Sequence, residues 1–135
     1  MTTPTLERWQ LVFDGGSLGN PGRGYGSFRL RPPGADWEPA VRLEYGDRVT
    51  NNEAEYQTLT AALARLAERA ADPGRIAVEV FGDSQLVIRQ LEGAWKVRTP
   101  SIRPYRDAAA VQLARFGGVK LTWQRRDKSV ALLGH

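Results

Sequence analysis

The sequence predicts an α/β domain, a sheet with helices on its faces. Three observations carry this: alternating apolar residues in the first third of the chain, a switch to helical period from Thr50, and a return to short β-rich runs at residues 76–81 and 119–124. At 135 residues with 41% apolar content, the chain suits a single domain, residues 1–135, that buries roughly two thirds of its extended surface.

The elements follow in order. Residues 9–14 read as a strand, because Trp9, Leu11 and Phe13 alternate with Gln10, Val12 and Asp14. The turn-rich segment behind them closes a hairpin. Residues 25–31 and 37–45 form the next two strands, separated by Pro32-Pro33-Gly34. Short loops make these three an antiparallel meander. A helix runs from Thr50 to about Ala71, where Asp72-Pro73-Gly74 stops it. Residues 76–81 are a strand ending in Gly82-Asp83, and residues 84–91 resume helical spacing. A helix over 101–116, a strand over 119–124 and a short last helix complete the order βββαβααβα.

Composition narrows the chemistry. The chain has no Cys, which rules out disulfides and thiolate metal sites, and its one His, His135, rules out His-rich metal centres and His-dependent triads. Any metal chemistry must use oxygen ligands. A net charge of +4 and a pI of about 9.8 fit either an anionic partner such as nucleic acid or simply solvated cationic faces. The start, MTTPTLERWQ, carries Glu7 and Arg8 and lacks the apolar core of a signal peptide, and no 18 apolar residues run together. The expectation is a soluble, cytoplasmic protein without a membrane partner.

Three carboxylates stand at element boundaries. Asp14 ends an apolar strand and precedes Gly15-Gly16, where missing Cβ atoms let backbone approach a substrate or, alternatively, make an ordinary glycine-rich hairpin. At 100° per residue, Leu59, Ala62 and Leu66 fall within about 40° of Glu55, so Glu55 faces the sheet, whereas Glu53 lies about 160° away as a first-turn acid. Asp83 follows a strand at the carboxyl end of the sheet, where α/β folds build their sites, or it caps the helix behind it. A core-facing carboxylate needs a cation, hydrogen bonds or a shifted pKa. Convergence of all three on divalent metal satisfies them together, and hard oxygen ligands favour Mg²⁺ or Mn²⁺. Such clusters serve phosphoryl transfer.

The segments Phe13-Asp14-Gly15-Gly16-Ser17 with Gly19-Asn20-Pro21-Gly22, Thr50-Asn51-Asn52-Glu53-Ala54-Glu55, and Gly82-Asp83-Ser84-Gln85-Leu86-Val87 resemble the type 1 ribonucleases H, in the compact form of bacteria and archaea. The resemblance spans nearly the whole chain. It implies a ribonuclease H-like fold: a mixed five-stranded sheet in which parallel strands follow the meander, with helices on both faces. It implies an endoribonuclease that cuts the RNA strand of RNA/DNA hybrids with two Mg²⁺ ions, or Mn²⁺ in their place, leaving 5′-phosphate and 3′-hydroxyl ends. Asp14, Glu55 and Asp83 would be three of the family's four catalytic, metal-binding carboxylates, with Asp14 bridging the ions. Gly15, Gly16, Ser17, Asn20, Asn51, Asn52 and Ser84 would meet the nucleic acid. Short donors of this kind suit the wide, shallow minor groove of a hybrid and its 2′-hydroxyls. Trp95 and Lys96, in Ala94-Trp95-Lys96-Val97-Arg98, would pack on sugars and meet phosphates, unless Trp95 is anchored in the core. The resemblance implies a monomer with no protein partner.

The match fails at one place. The family's last helix carries the fourth acid in a pattern close to Asn-x-x-Ala-Asp, and Lys128-Ser129-Val130-Ala131-Leu132 puts Leu132 at that Asp. Asp127 could substitute, or could cap the helix; His135, or its α-carboxylate, is another candidate ligand; or three acids suffice at higher metal. The alternative to an enzyme is a non-catalytic or weakly catalytic hybrid-binding module. A phosphate-cradling small-ligand domain fits less well, because Gly22-Arg23-Gly24-Tyr25-Gly26 is not G-x-G-x-x-G.

Overall fold

The computed structural model describes residues 5–134. The elements are β1 (Glu7–Leu18), β2 (Arg23–Arg31), β3 (Val41–Glu44), α1 (Asn51–Glu68), β4 (Ile76–Gly82), α2 (Gln85–Leu91), α3 (Arg103–Leu113), β5 (Gly118–Trp123) and α4 (Arg126–Leu133). Their order is the predicted one. The strands form a single sheet of order β3-β2-β1-β4-β5, antiparallel from β3 to β1 and parallel from β1 through β4 to β5. The parallel neighbours β4 and β5 are joined through α2 and α3, as the chain geometry of crossovers requires.

Period-two alternation decides what the sheet buries. Leu11 and Phe13 of β1, Phe28 and Leu30 of β2, and Ile76, Val78 and Val80 of β4 form the core with Tyr56, Leu59, Leu63 and Leu66 of α1. The α3 helix packs on α1. Arg29 lies between Phe28 and Leu30, so it points to the opposite face, where it opposes Val12 in the ladder and donates to the Leu132 carbonyl at 2.7 Å. That bond docks α4 over the second face, and helices therefore cover both sides.

Several boundaries differ from those read in the sequence. β1 continues past Asp14 to Leu18, because Gly15, Gly16 and Ser17 stay in register with Gly26, Tyr25 and Gly24, and the turn begins only at Gly19. β3 is shorter than residues 37–45: Trp37 and Glu38 give their carbonyls to Arg29, at 3.3 and 2.7 Å, and Pro39 has no N–H to give a ladder. α1 ends at Glu68, and Asp72 instead caps a separate 3₁₀ turn at Pro73–Arg75. The helix expected over 101–116 divides into a 3₁₀ turn at Pro100–Ile102 and α3, with Pro104 in its first turn. Among the described residues, no helix is long and apolar enough to cross a membrane.

Gly15 sits where β1 passes directly under the first turns of α1. A Cβ at this position would lie 2.6 Å from the carbonyl carbon and oxygen of Ala54 and 2.7 Å from the Glu55 nitrogen, all of them backbone atoms that cannot swing aside. Gly46 has open space around it. We expect Gly15→Ala to lower stability by about 1–3 kcal/mol through overpacking, and Gly46→Ala to be neutral or mildly stabilising. Thermal denaturation of the two variants checks this.

Candidate active site

Each of the three carboxylates is fixed by a different element. Asp14 belongs to β1, flanked by Phe13 in the core and by Gly15 under α1, and it opposes Ser27 of β2. Glu55 stands in the first turns of α1, whose start is set by a capping box: Thr50 Oγ1 accepts from the Glu53 amide at 3.1 Å and Glu53 Oε1 accepts from the Thr50 amide at 2.9 Å. Glu53 is thereby accounted for as a capping acid. Asp83 occupies the link between β4 and α2. The cap of α2 is Ser84, whose Oγ accepts from the Val87 amide at 3.2 Å, so Asp83 is not consumed in capping.

Fold geometry brings these residues together. Asp14, Glu55 and Asp83 each offer a carboxylate oxygen, and the three oxygens lie within 4.8 Å of one another. Asp14 and Glu55 are buried and Asp83 is half-buried. Burial, and then the charges of Asp14 and Asp83, push the Glu55 carboxyl well above the usual carboxylate range, although the Gly15 amide donates to it and opposes the shift. Held as the acid, Glu55 shares a hydrogen bond with Asp14, while its Oε2 is buried without a hydrogen-bond partner. The donor set is all oxygen and closely spaced. It fits a hard divalent cation, which would neutralise the repulsion and occupy the buried oxygen.

The other predicted site residues divide into two groups. Several are engaged within the protein. The Ser17 amide donates to Asn51 Oδ1 at 2.8 Å, and the Asn51 amide donates to Asn20 Oδ1 at 3.0 Å, which ties the tip of the β1–β2 hairpin to the start of α1. Gly16 is overlaid by Tyr25, whose hydroxyl would lie 2.5 Å from any Cβ there. The need for glycine at 15 thus arises inside the fold, from the backbone of α1, whereas at 16 it is the end of the exposed Tyr25 side chain that covers the position. The second group faces outward. Asn52, Trp95 and Lys96 are exposed and line one groove with Arg98, so Trp95, 45% exposed, is not a core anchor.

The family resemblance puts the fourth acid at Leu132. Leu132 is half-buried, and its carbonyl is held by Arg29. Asp127 does not cap α4; the residue at its cap is Arg125, which makes no side-chain capping bond. It is 68% exposed in its side chain and pairs with Arg125 at 3.3 Å, outside the carboxylate cluster. His135 lies outside the described residues. One contact of the site carries no local signal in the sequence: Trp123 donates its indole N–H to the Asp83 carbonyl at 3.0 Å across 40 residues.

The raised Glu55 pKa has a consequence for stability. The folded, metal-free protein keeps a proton that the unfolded chain loses near the ordinary value of 4.5. Stability therefore declines as pH rises from that value through the pKa of folded Glu55, and the full penalty applies above it. We expect Glu55→Gln to abolish this decline, and Mn²⁺ to raise the wild-type Tm increasingly with pH but not that of the variant. Melts across pH, with and without Mn²⁺, check both.

Comparison with known proteins supplies the lineage. Residues 13–131 match the family model described as reverse transcriptase-like. The chain is 41% identical over 123 residues to a ribonuclease HI of Halobacterium salinarum, covering 85% of this chain and 55% of that protein. It spans about half, or less, of the length of the curated relatives it matches. Among solved structures, ribonuclease H1 of Halobacterium salinarum superposes with a TM-score of 0.80 at 35% identity, covering 93% of each chain. LC11-RNase H1 in complex with an RNA/DNA hybrid superposes with a TM-score of 0.78 at 26% identity, covering 92% of this chain and 90% of that one. A family match from strand β1 into helix α4, joined to this likeness over nearly all of a solved ribonuclease H1, shows that the chain belongs to the reverse transcriptase-like family, among the type 1 ribonucleases H.

Proposed function

We propose that this chain hydrolyses the RNA strand of RNA/DNA hybrids as a metal-dependent endoribonuclease, leaving 5′-phosphate and 3′-hydroxyl ends. The observation that carries the reading is the convergence of Asp14 of β1, Glu55 of α1 and Asp83 behind β4, one carboxylate oxygen of each lying within 4.8 Å of the others. Support comes from the relatives, of which one is a ribonuclease HI and another is solved with an RNA/DNA hybrid. We read residues 1–135 as one cytoplasmic, monomeric domain using two Mg²⁺ ions, with Mn²⁺ as a substitute.

Each residue then has a task. Asp14, Glu55 and Asp83 would hold the metal, Asp14 taking the bridging role that the family resemblance implies. Bound divalent metal supplies activation of water and neutralisation of charge on the leaving oxygen. Glu55 gives up its proton when positive charge enters. Lys96 meets phosphate and Trp95 offers a face for a sugar, on the groove that Asn52 shares. Asn20 and Asn51 engage their carbonyl oxygens in the hairpin, which leaves their amide N–H groups for the nucleic-acid backbone. Ser17, with the Gly15-Gly16 backbone, and Ser84 border the carboxylates, where 2′-hydroxyls identify RNA.

A second reading, a hybrid-binding module with weak or no catalysis, draws on Leu132. Among the described residues no fourth acid joins the cluster. Cleavage of labelled RNA/DNA hybrid, single-stranded RNA and duplex DNA across Mg²⁺ and Mn²⁺ titrations separates the readings. We expect cleavage of the hybrid alone; binding without cleavage at every metal concentration would establish the module instead. Asp14→Asn is expected to bring cleavage below detection while preserving the fold by circular dichroism. Leu132→Asp is expected to lower the metal concentration for half-maximal cleavage by about tenfold, the scale on which groups around a metal site act.

A further inference from the structure

The carboxylate of Asp83 is the one least fixed by regular structure. Its neighbours Asp14 and Glu55 sit within a strand and a helix, whereas Asp83 occupies the link between β4 and α2. The parallel ladder between β4 and β5 ends at the pair Gly82 and Trp123. Beyond it, two bonds from the end of β5 reach over the link. The Gln124 amide donates to the Gly82 carbonyl at 2.9 Å, and the Trp123 indole N–H donates to the Asp83 carbonyl at 3.0 Å. On the far side, Ser84 turns its hydroxyl and carbonyl into α2, accepting from Val87 and Ile88. The Asp83 peptide is therefore gripped from β5 by a side chain.

Trp123 is suited to this task. Its ring is half-buried and packs against the core, so the indole N–H cannot wander. An indole donates and cannot accept, so the bond specifies one orientation of the Asp83 carbonyl. Fixing the peptide on the carbonyl side fixes the Cα–Cβ vector, and with it the placement of the carboxylate against Asp14 and Glu55. We propose that Trp123 is a positioning residue for Asp83 and that its indole N–H sets the affinity of the carboxylate cluster for divalent cations. This rests on the cluster being a metal site, as read above. Trp123 touches neither metal nor substrate.

The test has two arms, with Mn²⁺ or Mg²⁺ alone as the probe. Calorimetric titration of Mn²⁺ compares wild type, Asp14→Asn and Trp123→Phe, the last keeping an aromatic ring and losing the donor. The expected result is binding by wild type, its loss in Asp14→Asn, and roughly tenfold weaker binding in Trp123→Phe, the range over which partners of metal ligands act. Equal affinity in a folded Trp123→Phe overturns the proposal. The second arm uses the unmutated protein and so does not depend on the variant folding. Of its four tryptophans, Trp123 is expected to shift its indole ¹H–¹⁵N resonance on adding diamagnetic Mg²⁺, while Trp9, at the opposite end of β1, stays in place. A stationary Trp123 resonance in protein that binds Mg²⁺ also overturns the proposal, with the metal-site reading intact. Wild type that binds no divalent ion overturns both.

Discussion

Three carboxylates held within 4.8 Å of one another set the terms for the rest of this structure. Like charges at that spacing repel strongly where water is scarce, and an unconstrained chain would separate them. Their proximity persists because each is mounted on an element whose position is decided by the hydrophobic core. Phe13 and Val80 anchor the strands that lead to Asp14 and Asp83, and Tyr56 and Leu59 anchor the helix that carries Glu55. Burial first, and then the neighbouring charges of Asp14 and Asp83, raise the Glu55 pKa in the metal-free state. The site is thus poised for positive charge.

The surroundings follow from the need to bring β1 and α1 close. Gly15 permits the contact, since any side chain there meets the backbone of Ala54 and Glu55. Asn20 and Asn51 then latch the hairpin tip to the helix start, so that Ser17 and the exposed hairpin residues keep a fixed relation to Glu55. Arg29 performs the equivalent service on the other face. Its guanidinium joins the Leu132, Glu38 and Trp37 carbonyls and holds α4 against the sheet. The terminal helix remains docked although it contributes no carboxylate to the cluster.

Much of this was legible in the sequence, for identifiable reasons. Alternation located the strands, and the helical angle between Glu55 and the Leu59, Ala62 and Leu66 stripe put that carboxylate toward the sheet before any coordinates. Illegible features depended on distant partners. Gly15-Gly16-Ser17 read as turn because glycine is the usual sign of one, yet pairing with Gly24-Tyr25-Gly26 keeps it extended. Residues 37–40 read as strand because nothing local reveals that Arg29 claims the carbonyls of Trp37 and Glu38, although Pro39, which cannot donate to a ladder, was a sign against it. A further reason for glycine at position 15 was hidden as well: the backbone of Ala54 and Glu55 lies where its Cβ would be. Trp123 at Asp83 had no sequence signal at all.

The central claim is that the cluster is assembled for a divalent cation and carries a displaceable proton until one arrives. Calorimetry of Mn²⁺ binding in buffers of different ionisation enthalpy, at a pH just above the ordinary carboxyl range, tests this most directly. The account predicts that binding releases a proton, that affinity rises with pH, and that Glu55→Gln releases none. Binding with no proton release and no pH dependence would contradict it, because Glu55 would then hold no proton for the cation to displace.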